Sequence, residues 1–283
     1  NILVFAGDVA RRVDLVRLAA WLNQDRGLLT VSNVIVGSRE MNAWRIGDER
    51  RQMDEQLSAE GIAAFSEVEI VSNFEEGVIA IAQANGIAGI SSNTIMFGWS
   101  EKQERLASQL RIMRQVSLIG KSTIISRIRP LSWKERPERI DVWWGGRQNN
   151  GDMLLLLAYL VSLNREWRRA KICVRSIATS EMMQERTQRS LEQMLEDNRI
   201  SARIEITPWE ADANVQELIQ KQSKDADLVF LGLSEPAMGE EAAYAERLVG
   251  LIGDLPTVVF VRNAGIFAGQ LLEDGESPVA LPD

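Results

Sequence analysis

Short apolar runs, most of them stopped by glycine or a polar turn, alternate with amphipathic stretches along nearly the whole chain, and the alternation runs through twice. Asn1-Ile-Leu-Val-Phe-Ala-Gly7 reads as a buried strand. The next stretch carries Leu15, Leu18, Ala19 and Leu22 at helical spacing. Val31 to Val36, Glu67 to Val71, Asn93 to Gly98 and Ser122 to Ser126 are further strands, and amphipathic helices sit between most of them. Glu40 to Glu60 reads as an exposed helix or partly ordered loop. After residues 127–138, rich in prolines and charges, the pattern restarts with Arg139-Ile-Asp-Val-Trp-Trp144. It continues through strands at Lys171 to Ile177, Ala202 to Thr207, Asp227 to Gly232 and Thr257 to Val261, with a helix expected over Met153 to Trp167.

Strands joined by helices run parallel with right-handed crossovers, and sheets covered on both faces need near-continuous apolar strands. The expected fold is therefore α/β: two tandem doubly wound subdomains, internally duplicated, each with a five-stranded parallel sheet. The divisions are a first subdomain at 1–130, a linker at 131–138, a second subdomain at 139–265 and a polar tail at 266–283. The chain opens in mid-strand, which suggests a module of something longer.

Composition removes several chemistries. The 283 residues include no histidine, so no imidazole can act as base or metal ligand. The single cysteine, Cys173, permits no intrachain disulfide and no thiolate zinc site, and it reads as a small buried hydrophobe. A net charge of −8 argues against nucleic acid as a partner. The charge is uneven: residues 1–137 hold 17 Lys/Arg against 16 Asp/Glu, a net of +1, and residues 138–283 hold 15 against 24, a net of −9. The longest apolar run, Met153 to Val161, is nine residues, where a membrane span needs about twenty.

In a doubly wound sheet of order 3-2-1-4-5, ligands bind beyond the carboxyl ends of strands one and four. In the first half that crevice would be lined by Gly7, Asp8, Gly98 and Trp99. In the second it would be lined by Gly145, Gly146, Gly232 and Ser234. Glycines there allow a phosphate to approach the backbone, but they also simply end strands. Neither half carries Gly-x-Gly-x-x-Gly, and Gly120-Lys121-Ser122 mimics only the end of a P-loop, ahead of a strand. The pairs Glu75-Glu76 and Glu240-Glu241 stand at helix starts, where the helix dipole favours them. Asp141 lies inside an apolar strand, either before full burial begins or paired with a cation. Trp143 and Trp144 point to opposite faces of that strand. No catalytic constellation emerges.

Four segments resemble the cytosolic C-terminal domain of cation-chloride cotransporters of the Na-K-Cl and K-Cl type. They are Arg139-Ile-Asp-Val-Trp-Trp144 with the leucine-rich stretch from Asp152 and Trp167; Gly86 to Trp99 with its Asn93-Thr94 and closing Gly98-Trp99; Asp225-Ala-Asp227-Leu-Val-Phe-Leu; and Leu255-Pro-Thr-Val-Val-Phe-Val-Arg262. The long inserts of animal members are absent, which points to a compact prokaryotic member. The resemblance implies a regulatory and dimerisation domain with no ion path of its own. It would lie at the cytoplasmic face of the membrane, a homodimer partnered by the transmembrane domain of the same polypeptide. The family's domain is similar in turn to universal stress proteins, whose adenine-nucleotide loop is Gly-x-x-Gly, nine residues, then Gly-Ser/Thr. Gly98-Trp-Ser-Glu-Lys and Gly232-Leu-Ser-Glu-Pro do not fit that loop. No cofactor is expected, and an ATP-binding sensor is the alternative reading.

Overall fold

The computed structural model describes residues 1–87, 89–129, 137–145, 150–210 and 213–264. The first half runs β1 (Ile2–Phe5), α1 (Val13–Asn23), β2 (Leu29–Val36), α2 (Arg39–Asn42), α3 (Arg45–Ala59), β3 (Phe65–Val71) and α4 (Phe74–Ala84). A small hairpin of β4 (Gly86–Ile87) and β5 (Ile90–Ser91) follows, then β6 (Thr94–Gly98), α5 (Gln103–Ser117) and β7 (Ser122–Arg127). The second half runs β8 (Arg139–Trp143), α6 (Gly151–Ser162), β9 (Lys171–Ala178), α7 (Glu181–Asp197), β10 (Ala202–Pro208), α8 (Val215–Ser223), β11 (Leu228–Gly232), α9 (Glu241–Ile252) and β12 (Thr257–Arg262).

Each half has the expected strand order, β3-β2-β1-β6-β7 and β10-β9-β8-β11-β12, all parallel. The two sheets are not separate, however. The fifth strands pair antiparallel, with Phe260 opposite Ile125, and the result is one ten-stranded sheet. Both fifth strands are almost wholly buried, and lateral pairing satisfies the backbone groups that an edge would leave in the core. Equivalent helices meet across this junction, α1 with α6 on one face and α5 with α9 on the other.

Two apolar layers cover the sheet. Residues of α1, α3, α6 and α7 pack on one face, and residues of α4, α5, α8 and α9 on the other. Each layer draws on both halves, so the core is continuous across the junction. Met53 and Leu57 bury one side of α3, which turns the polar stretch 40–60 into an ordered helical segment. Side-chain caps start several helices: Asn73 accepts from the Glu76 amide, Ser180 from Met183 and Asn214 from Gln216. The helix expected to reach Trp167 stops at Ser162, because the Asn164 side chain donates back to the carbonyls of Leu160 and Val161 and closes its last turn. Trp143 and Trp144 do face opposite layers. The linker (apart from residues 137 and 138), Gly146 and the tail at 266–283 lie outside the described residues. No helix among the described residues is long and apolar enough to cross a membrane.

Candidate functional site

The two switch-point crevices have the same frame and different fillings. In the second half, Asn150 stands at the N-terminus of α6, beside the end of β11. A methyl group placed on Gly232 would meet the Asn150 amide nitrogen at 3.0 Å. That amide donates to the Leu233 carbonyl at 2.9 Å, and its oxygen accepts from the Asn263 backbone N–H at 2.7 Å. The side chain thus bridges the ends of β11 and β12. Beyond it, the Ser234 N–H donates to the Tyr244 hydroxyl at 2.9 Å.

The loop after β11 is held from the first half. Arg114 of α5 pairs with Glu241 at 2.6 Å, lies 3.6 Å from Glu235, and donates to the Pro236 carbonyl at 2.7 Å. Arg262 at the end of β12 also reaches Glu235, at 3.3 Å. The expected role of Glu241 as a helix-start acid is joined by this clasp. Glu75 likewise pairs across helices, with Arg111.

In the first half, Arg12 at the N-terminus of α1 stands where Asn150 stands in the second. A methyl on Gly98 would meet Leu15 at 3.2 Å and the Arg12 guanidinium at 3.4 Å. Among the described residues Arg12 has no carboxylate partner. Burial, and after it the charge of Arg105, depress its pKa. The other residues expected here serve local structure. Asp8 caps the 3-10 turn Val9–Arg11, accepting from the Ala10 amide at 3.1 Å, and pairs with the exposed Arg11. Gly7 has φ +64°, which suits glycine at this turn. The Gly98 carbonyl accepts from buried Gln109 at 3.0 Å. Trp99 donates its backbone N–H to Ser126 and stacks its ring on Phe260 of the other half, centroids 5.8 Å apart. It seals the seam between halves.

The remaining singled-out residues fall into three places. Asn93 and Thr94 lie at the opposite end of the sheet, where their backbone N–H groups donate to the Asn1 carbonyl. Asp227 accepts from the amides of Glu138 and Arg139 and fixes the start of β8, whereas Asp225 is exposed in the preceding turn. Trp144 lies against Gly151, and Trp167 is fully buried, edge to face with Trp21 at 5.7 Å across the junction.

Asp141 and Trp143 belong to one buried network. Asp141 is wholly buried, 2.8 Å from Arg175 on β9 and 3.2 Å from Arg139, so the cation-paired expectation holds. It also accepts from the Ser223 hydroxyl at 2.7 Å, and Ser223 in turn accepts from the Trp143 indole at 3.0 Å. Arg175 continues to Glu205 at 2.6 Å and to Gln222 at 3.1 Å. Burial raises the Asp141 pKa, and Arg175 opposes that shift. The network ties β8, β9 and β10 to α8. Cys173 beside it is buried, its thiol pushed up to about 11, as suits an inert core residue. Sequence reasoning missed Arg12, Arg114, Asn150 and Arg175. Of these, only Arg175 gave a signal, as a charge inside an apolar strand.

Comparison with known proteins agrees with this fold. The family model of solute carrier family 12 matches residues 12–113 and 99–207. The cytoplasmic domain of a prokaryotic cation chloride cotransporter superposes with a TM-score of 0.68 at 16% identity, over 94% of this chain and 96% of that one. A universal stress protein from Archaeoglobus fulgidus gives 0.59 at 12% identity, over 93% and 97%. A putative universal stress protein from Pseudomonas aeruginosa gives 0.55 at 14%, over 92% and 91%. The chain thus has the fold shared by universal stress proteins and that cotransporter domain, and it belongs to solute carrier family 12, the cation-chloride cotransporters.

Proposed function

We propose that the chain is the cytosolic regulatory and dimerisation domain of a cation-chloride cotransporter, coupled to the transmembrane domain of the same polypeptide and carrying no ion path of its own. The observation that carries this reading is the family match over 12–207 on a chain with the fold of a cotransporter's cytoplasmic domain. The second crevice supports a structural role over a catalytic one, since among the described residues the Asn150 side chain there is used to bridge the ends of β11 and β12. Subdomains 1–130 and 139–265 act as one body in this reading, because their sheet and both core layers are shared. Sedimentation from micromolar to submillimolar concentration tests the dimer. A mass that rises from 31.7 kDa to twice that value supports it, and a mass that stays at 31.7 kDa removes the dimerisation half.

Arg12 favours a second reading, a sensor that binds an adenine nucleotide at the first crevice. A half-buried guanidinium beside Arg105, with no acid against it among the described residues, suits a phosphate group. ATP titration by calorimetry decides between the two. Low-micromolar binding that Arg12→Ala abolishes would promote the sensor, and heat no greater than that of dilution would remove it.

A further inference from the structure

The ten-stranded sheet ends in two edges, β3 and β10, and their backbone and charge patterns differ. The Trp209 N–H donates to the Ala178 carbonyl of β9. Because successive residues of a strand alternate sides, Arg203, Glu205 and Thr207 direct their backbone groups at β9, and Ala202, Ile204 and Ile206 direct theirs away from the sheet. No described strand covers that edge. On one face of it, exposed Arg203 lies 2.9 Å from Glu205, which Arg175 holds from beneath.

We propose that two copies of the chain pair through β10, antiparallel about a two-fold axis at Ile204, with Arg203 of each copy opposite Glu205 of the other. This rests on the dimerisation reading above and names its surface. The register follows from the residues. An axis at Arg203 would set arginine against arginine, and one at Glu205 would set glutamate against glutamate. An axis at Ile206 would bring Ile204 opposite Pro208, which has no N–H to donate. Only the axis at Ile204 pairs opposite charges and uses the outward N–H and C=O groups of Ala202, Ile204 and Ile206 together.

The other edge lacks this complementarity. Val71 faces β2, since its carbonyl accepts from the Gly37 amide, so Ser66, Val68 and Ile70 face outward. A two-fold axis at Val68 would set Glu67 against Glu69, two carboxylates that already repel within one copy. Pairing β10 with β3 of another copy would be head to tail, which builds rings or filaments rather than a two-fold dimer. The second half carries a net charge of −9, so a surface that pairs its own basic and acidic residues is the one on which two such halves can meet.

The test combines mass and cross-linking on the full chain. Arg203→Glu should weaken self-association by about tenfold and leave the melting temperature unchanged, because that side chain is exposed. Ile204→Cys should form an intermolecular disulfide under mild oxidation, since directly opposed residues in a hydrogen-bonded pair stand about 5.5 Å apart at Cα. Val68→Cys on the other edge should stay reduced, and buried Cys173 should take no part. A dimer that ignores Arg203→Glu and gives no cross-link at position 204 would overturn this edge and leave the dimerisation reading intact. A chain that remains monomeric at every concentration would overturn both. A mass that grows past the dimer would point to head-to-tail pairing and overturn the two-fold arrangement.

Discussion

Three residues at equivalent points of the two half-sheets differ in charge, and the difference shows how one frame can be filled in two ways. By strand register, Leu3, Ser32 and Glu67 of the first half match Asp141, Arg175 and Glu205 of the second. In the second half the buried arginine lies between two carboxylates and neutralises both. In the first half a serine stands in its place, and among the described residues no cation pairs with Glu67 or its neighbour Glu69. Glu69 keeps a hydrogen bond from Ser32 at 2.8 Å, and burial, with the Glu67 charge behind it, raises its pKa to about 7. The switch points repeat the contrast, with a hydrogen-bonded Asn150 in one half and, in the other, Arg12 without a carboxylate among the described residues. Topology repeats; the electrostatics does not.

The largest expected effect comes from breaking the buried pair. Arg175→Met leaves buried Asp141 without its main cation and should cost about 3–5 kcal/mol in urea unfolding. The double change Asp141→Leu with Arg175→Met gives the second half the first half's apolar strand position, and it should recover all but about 1 kcal/mol. A double variant as unstable as the single one would show that the network is needed for more than neutralisation. Leu3→Asp runs the comparison in reverse. It buries a charge where no arginine waits, with an expected loss of about 3–5 kcal/mol.

The switch points come next. Asn150→Ala orphans the Leu233 carbonyl and the Asn263 amide, so thermal or chemical denaturation should show a loss of about 2–3 kcal/mol. Arg12→Ala removes a side chain with no carboxylate partner among the described residues and should change stability by less than about 0.5 kcal/mol. Equal losses at the two positions would erase the distinction drawn between the crevices.

A pH dependence, smaller than the Asn150 effect, completes the comparison. The Glu69 pKa is raised in the fold from 4.5 to about 7, so between those values the folded chain keeps a proton that the unfolded chain has lost. Stability should therefore fall as pH rises from about 4.5 to about 7 and level off above. The contribution is about 1 kcal/mol once solvent screening of a partly exposed group is counted. Glu69→Gln should remove that slope, as urea midpoints across the range will show.

Asp141 stands out in the sequence because an acid inside an apolar strand must either precede full burial or find a cation. Arg175 carried the same signal in the next strand, and their contact needed the register of β8 on β9 to become visible. Arg12, Asn150 and Arg114 gave no such sign. A polar residue at a strand-to-helix turn, or an arginine on a helix, looks the same in sequence whether it faces water or closes a crevice. The joining of the halves was hidden for a related reason: a continuous apolar run reports burial on both faces of a strand and says nothing of its lateral neighbour. The runs at Ser122 and Thr257 fit a sheet end or a junction equally well.

The order of strands and helices, the parallel crossovers and the doubled pattern were decided by local residue spacing, because the burial periods of strand and helix are set within a few residues. The tertiary structure alone decided that β7 would pair with β12, that Arg114 would close the loop of the opposite half, and that Arg175 but not Ser32 would neutralise its strand neighbours. Those outcomes depend on distances between residues remote in sequence, and charge acts through space rather than along the chain.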